Sequence, residues 1–106
     1  MEEILLKHKI FLKKTKTINL KLYTRAKSYK VIVGVDMQSN NLLLVFRDAK
    51  SRFLQKNGIE VAEFSNMILK DLDIISRKKI FFYNSEICSK ALKLMEENGF
   101  KCCFAM

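Results

Sequence analysis

Residues able to do chemistry are spread unevenly along this chain. Twenty Lys and Arg stand against eleven Asp and Glu, with one His and three Cys, for a net charge of +9. Residues 1–30 carry a net of +7, residues 31–58 a net of +2, and residues 59–106 are neutral. Such asymmetry points to a polyanionic partner, because Lys and Arg bind phosphate backbones by releasing condensed counterions. Packing so much like charge into thirty residues opposes compaction, so stability does not account for it. Lys13, Lys14, Lys16, Lys21, Arg25, Lys27 and Lys30 are therefore the candidate RNA contacts, with Tyr23 among them to stack on an exposed base. Tyr23 reads equally well as an edge aromatic packed on a neighbour. Arg47, Lys50 and Arg52 form a second candidate group, part of which a short helix would equally employ.

Other chemistries find few residues to use. Cys88, Cys102 and Cys103 have no framework spacing, and with His8 alone to add they form no zinc pattern. The odd count reads as a reducing compartment. Proline is absent and glycine occurs only at 34, 58 and 99, so neither a Walker-type loop nor a dinucleotide fingerprint can be built. A Ser/His or Cys/His nucleophile would have to use His8, which sits in a Lys-rich stretch and reads better as solvated or RNA-facing. No cofactor, metal or small-molecule substrate is expected. No apolar run approaches the roughly 20 residues of a membrane span. Ile4–Leu6 follows two acids and is too short for a signal peptide.

The elements that must position the cations follow from periodicity. With 106 residues, one domain is expected, residues 17–106, behind a basic N-terminal arm, residues 1–16. Ile18, Leu20 and Leu22 alternate with polar residues and predict a first strand. Tyr29, Val31, Val33 and Val35 predict a second, Asp36–Asn41 a polar turn that Asp36 closes, and Leu42–Phe46 a buried third strand. A short amphipathic turn over 49–56 would end at Asn57-Gly58. Val61, Phe64, Ile68 and Leu72 mark a helix over 60–73. Ile80–Tyr83 is a strand. A last helix, capped by Asn84 or Ser85, runs to Asn98-Gly99 before a final strand, Phe100–Phe104. Strand, helix, strand over so few residues implies a parallel pair. The fold class is α/β (α+β): a three-stranded antiparallel meander followed by αβαβ, a topology of ribonuclease H-like domains and of two ribosomal protein families.

Leu20-Lys-Leu-Tyr-Thr-Arg-Ala-Lys-Ser-Tyr-Lys-Val-Ile-Val-Gly-Val-Asp36 resembles the opening of large-subunit ribosomal protein eighteen. Asn57-Gly-Ile-Glu-Val-Ala-Glu63 is similar to that family's lead into its first long helix, and Arg77-Lys-Lys-Ile-Phe-Phe82 to its central strand. Lys90-Ala-Leu-Lys-Leu-Met-Glu-Glu-Asn-Gly-Phe100 resembles its closing helix. The resemblance spans about residues 17–101. It implies a structural, non-enzymatic constituent of the large ribosomal subunit. The implied partners are large-subunit rRNA, usually with 5S rRNA, and neighbouring ribosomal proteins. The family's RNA-touching loop before the last helix is cut here to Tyr83–Cys88. Together with abundant Lys, Ile, Asn and Phe, this suggests a diverged, organellar version, with a mitochondrial ribosome as its place.

Three alternatives stand beside it. Small-subunit ribosomal protein eleven shares the topology, but its Gly/Pro-rich loop is missing. A metal-dependent nuclease needs carboxylates gathered around metal ions; here the expected first strand has no acid, and Glu60, Glu63 and Glu86 fall on helices. A small protein-interaction module would use Cys102–Met106 as a docking strand.

Overall fold

The computed structural model describes residues 12–24, 28–76 and 78–104. A five-stranded sheet in the order β1-β2-β3-β4-β5 is built from Leu12–Thr17, Tyr29–Asp36, Asn41–Arg47, Lys78–Tyr83 and Phe100–Phe104. The first three strands are antiparallel, and β3, β4 and β5 are parallel. Helix α1, Gln55–Asp71, connects β3 to β4, and α2, Ser89–Glu97, connects β4 to β5. The expected meander followed by αβαβ is the fold observed.

Period-two alternation divides the sheet residues between two apolar faces. Val31, Val33, Leu43, Val45 and Phe81 pack with Phe53, Val61, Phe64 and Ile68, and with Ala91, Met95 and Phe100, as the core beneath the helices. Ile32, Leu42, Leu44, Phe46, Ile80 and Phe82 form a second buried cluster on the other face, with Phe46 and Phe82 stacked at 4.8 Å. Burying both faces explains why β3 reads as an unbroken apolar run.

Three elements differ from the sequence reading, each for a local reason. The first strand is Leu12–Thr17, within the expected arm, and not 18–23. The Asn19 side chain accepts from the Lys21 N–H and caps a 3-10 turn, Leu20–Leu22. That turn leaves Leu22 74% exposed while Ile18, Leu20 and Tyr23 pack on the core, which breaks the expected alternation. Residues 48–54 are not helical; Phe53 bridges Ile87 and is fully buried. Asn57-Gly58 opens α1 and does not close a preceding helix. The Asn57 side chain accepts from the Leu54 N–H, and a Cβ on Gly58 would lie 3.0 Å from Leu94 of α2. Glycine there serves the close approach of two helices. The cap of α2 is Cys88, whose sulfur accepts from the Ala91 N–H, because Asn84 and Ser85 are engaged elsewhere. Gly99, at φ +83°, ends α2 as expected.

Candidate nucleic-acid interface

Parallel strands release their chains at one end of a sheet, and in open α/β sheets ligands bind in the crevice outside those carboxyl ends. Here β3 ends at Arg47 and β4 at Tyr83, which are register partners, while the antiparallel β2 begins at the same end with Tyr29 opposite Arg47. The loops 48–54 and 84–88 leave from this rim side by side.

Hydrogen bonds pin the two loops together. The Asn84 side chain donates to Asp48 Oδ1 at 2.8 Å and accepts from the Ala49 N–H. The Asp48 N–H donates to the Ser28 carbonyl, the Phe53 N–H to the Glu86 carbonyl, and the Cys88 N–H to the Phe53 carbonyl. Beneath them lies Arg47, only 7% exposed. Its Nη1 donates to the Ser51 carbonyl at 2.9 Å and to Ser85 Oγ at 2.8 Å, and its Nη2 to Ser51 Oγ at 3.1 Å. The guanidinium carbon sits 5.2 Å from the Phe53 ring centroid. None of these partners is a carboxylate, so a buried cation is held by neutral dipoles and an aromatic face. Burial raises the Tyr29 phenol above its ordinary pKa, opposed by the neighbouring Arg47 charge, with Glu60 adding to the rise.

Lys50 and Arg52 stand exposed on the pinned loop. Among the described residues neither has a hydrogen-bond or ion-pair partner. Lys30 is exposed on β2 opposite Phe46, near the same rim. The second candidate group is thus brought together, with Arg47 inside and Lys50 and Arg52 outside.

The first group is dispersed. Lys13, Lys14 and Lys16 lie on β1, the edge strand among the described residues, where charge guards against pairing with another chain. Lys13 donates to Ser39 Oγ at 2.8 Å, at the hairpin end of the sheet. That is about 20 Å from the rim, the length of a six- or seven-residue strand. Lys21 is exposed on the 3-10 turn. Tyr23 packs on the core, and burial, with the neighbouring Asp71 carboxylate adding to it, raises its pKa. The alternative reading of Tyr23 as a packed aromatic describes it better than base stacking. Arg25, Lys27, His8 and residues 1–11 of the arm lie outside the described residues.

Asp36 closes the β2–β3 hairpin as expected. Its Oδ1 accepts from the Gln38 and Asn40 N–H groups, and the bond from Asn40 leads in holding its pKa below the ordinary carboxylate value. Burial pushes the Cys102 thiol up to about 11, with Glu96 and Cys103 contributing. Among the described residues no three His, Cys, Asp or Glu side chains come together to hold a metal ion. No described helix is long and apolar enough to cross a membrane. Sequence reasoning missed Ser51, Asn84 and Ser85, whose roles follow from the adjacency of β3 and β4. The polar run Asn84-Ser85 was their only signal, and it read as a helix cap.

No family model matches the sequence, and no curated protein sequence matches it. Solved structures do match the fold. EndoMS in its apo form superposes with a TM-score of 0.57 at 15% identity, over 99% of this chain and 44% of that one. EndoMS in a complex with dsDNA gives 0.56 at 13% identity, over 98% and 41%. A repair endonuclease from Pyrococcus abyssi gives 0.58 at 15% identity, over 98% and 44%. The chain spans less than half the length of each. These neighbours overturn the resemblance to large-subunit ribosomal protein eighteen, and with it the ribosomal function, the translation role and the rRNA and ribosomal-protein partners. The expectation of a non-enzymatic chain loses its ground as well, because the fold is one that endonucleases use. The misleading motifs were generic to α/β units: an apolar strand, a basic turn and an Asn-Gly helix exit. The chain has the fold seen in these repair-endonuclease structures over almost its whole length.

Proposed function

We propose that this chain engages double-stranded DNA as a domain of repair-endonuclease type, holding the sugar-phosphate backbone at the rim where β3 and β4 end. The observation that carries the reading is the superposition of 98% of the chain on EndoMS in a complex with dsDNA. The rim supports it locally. Lys30, Lys50 and Arg52 are exposed cations there, at the end of the sheet where ligands of parallel strands gather.

Hydrolysis of a phosphodiester by a metal-dependent nuclease requires acidic ligands that fix divalent ions. The described residues do not fit that requirement. The positions beside Arg47 on the helix-facing side of β2 and β3 are Val31 and Val45, paired and fully buried. We therefore place no hydrolytic step on them. What these residues supply is a firm seat for a phosphate backbone.

Fluorescence anisotropy with a labelled DNA duplex tests the reading. Binding is expected at low salt and should weaken as log[salt] rises, with a slope of about −0.9 for each phosphate neutralised. Failure to bind duplex at 50 mM salt, or capture of rRNA with no measurable duplex binding, would overturn it.

A further inference from the structure

Arg47 has an unusual setting for a residue beside a phosphate-binding rim. It is buried, so it cannot itself lie along a DNA backbone, yet its guanidinium holds both Ser51 atoms that define the crest of the 48–54 loop. Through Ser85 Oγ it also ties that crest to the neighbouring loop, where Asn84 holds Asp48 and Ala49. Lys50 and Arg52 flank Ser51 directly. Two residues apart, their Cα atoms are within about 7 Å of each other, close enough for both side chains to reach one stretch of DNA strand.

We infer that Arg47 is a positioning residue: its buried guanidinium locks the 48–54 loop so that Lys50 and Arg52 meet DNA phosphates from preset places. The inference rests on the DNA-engagement reading for its ligand and on the hydrogen-bond geometry for its mechanism. A loop already ordered before binding spares the complex the entropy of ordering two long cationic side chains and their backbone. The division of labour is distinctive. Lys50 and Arg52 release counterions, and Arg47 does not. Loss of a contact residue changes the salt dependence, whereas loss of the lock lowers affinity equally at every salt concentration.

The experiment measures duplex affinity between 50 and 300 mM KCl for the parent chain, Lys50→Ala, Arg52→Ala, Arg47→Met and Ser85→Ala. It is paired with backbone 15N relaxation of residues 48–52 in the absence of DNA. Lys50→Ala and Arg52→Ala should each flatten the log–log slope by about 1. Arg47→Met and Ser85→Ala should weaken binding roughly 3- to 10-fold at all salts, leave the slope unchanged and raise the mobility of 48–52. Ser85→Ala keeps the Arg47 charge in place and so serves if Arg47→Met does not fold. A slope flattened by Arg47→Met would make Arg47 a direct contact and overturn the inference. Unchanged affinity and unchanged loop mobility in both lock variants would overturn it too. If the parent chain fails to bind duplex while the lock variants still loosen residues 48–52, the DNA reading falls and the lock stands.

Discussion

Removing the Ser85 hydroxyl tests the buried Arg47 network most sharply. Ser85 Oγ accepts from Arg47 Nη1 at 2.8 Å and also donates to the Glu86 carbonyl at 3.1 Å. In Ser85→Ala the guanidinium stays buried and charged but loses one acceptor, while Nη1 keeps the Ser51 carbonyl at 2.9 Å. Hydrogen bonds to charged groups contribute about 1.5–3 kcal/mol, and the surviving bond places this loss near the lower end, about 1.5–2 kcal/mol. For a domain near 100 residues that corresponds to a fall in Tm of roughly 6–16 °C. In the Arg47→Met background the charge is gone and a flexible apolar chain lies against Phe53, so Ser85→Ala should cost only about 0.5 kcal/mol. Urea unfolding of the four proteins closes a double-mutant cycle with a coupling of about 1–1.5 kcal/mol. Equal costs for Ser85→Ala in both backgrounds would refute the reasoning, since the hydroxyl would then not be serving the cation.

Three further outcomes follow from other parts of the structure. Ser65 is fully buried in α1 and its hydroxyl has no hydrogen-bond partner among the described residues, so Ser65→Ala should leave stability unchanged or raise it by about 1 kcal/mol in urea unfolding; a loss of that size would reveal a bonded hydroxyl. Gly99 exits α2 at φ +83° with Lys79 Cε 3.4 Å from where a Cβ would sit, so Gly99→Ala should cost about 1–2 kcal/mol through backbone strain, and a neutral outcome in the same assay would contradict it. Asp36 has a lowered folded-state pKa, so its stabilising contribution is present above the unfolded carboxylate value and is lost as pH falls through the folded one. The urea midpoint of Asp36→Asn should therefore fall less steeply than the parent's as the medium is acidified, and parallel acid limbs would exclude Asp36 as a source of that fall.

Much of the fold was legible because burial imposes periodicity. The alternation in β2, the apolar run of β3, the stripe of α1 and the Asn98-Gly99 exit from α2 all follow from which face meets the core. The failures share one cause: a local signal with two meanings. Asn57-Gly58 looks like a helix stop, but the Leu94 side chain arriving from α2 is what makes glycine useful there. Lys13, Lys14 and Lys16 read as part of a basic arm, and they lie on a strand, β1, of the sheet. Net charge points to a polyanionic ligand, but it does not say where on the fold such a ligand would sit. The +7 of residues 1–30 carries no information on the 48–54 loop, which Arg47 holds by hydrogen bonds that no count of lysines contains. The Arg47–Ser51–Ser85 lock joins residues up to 38 positions apart and depends on the parallel pairing of β3 with β4.

The most direct test of the account is chemical-shift mapping of the 15N-labelled chain titrated with a short DNA duplex. Shifts are expected to concentrate on residues 48–52, 84–86 and Lys30, with the 37–40 hairpin unmoved. Shifts centred on Lys13 and the hairpin, or none at duplex concentrations well above that of the protein, would contradict a DNA interface at the carboxyl ends of β3 and β4.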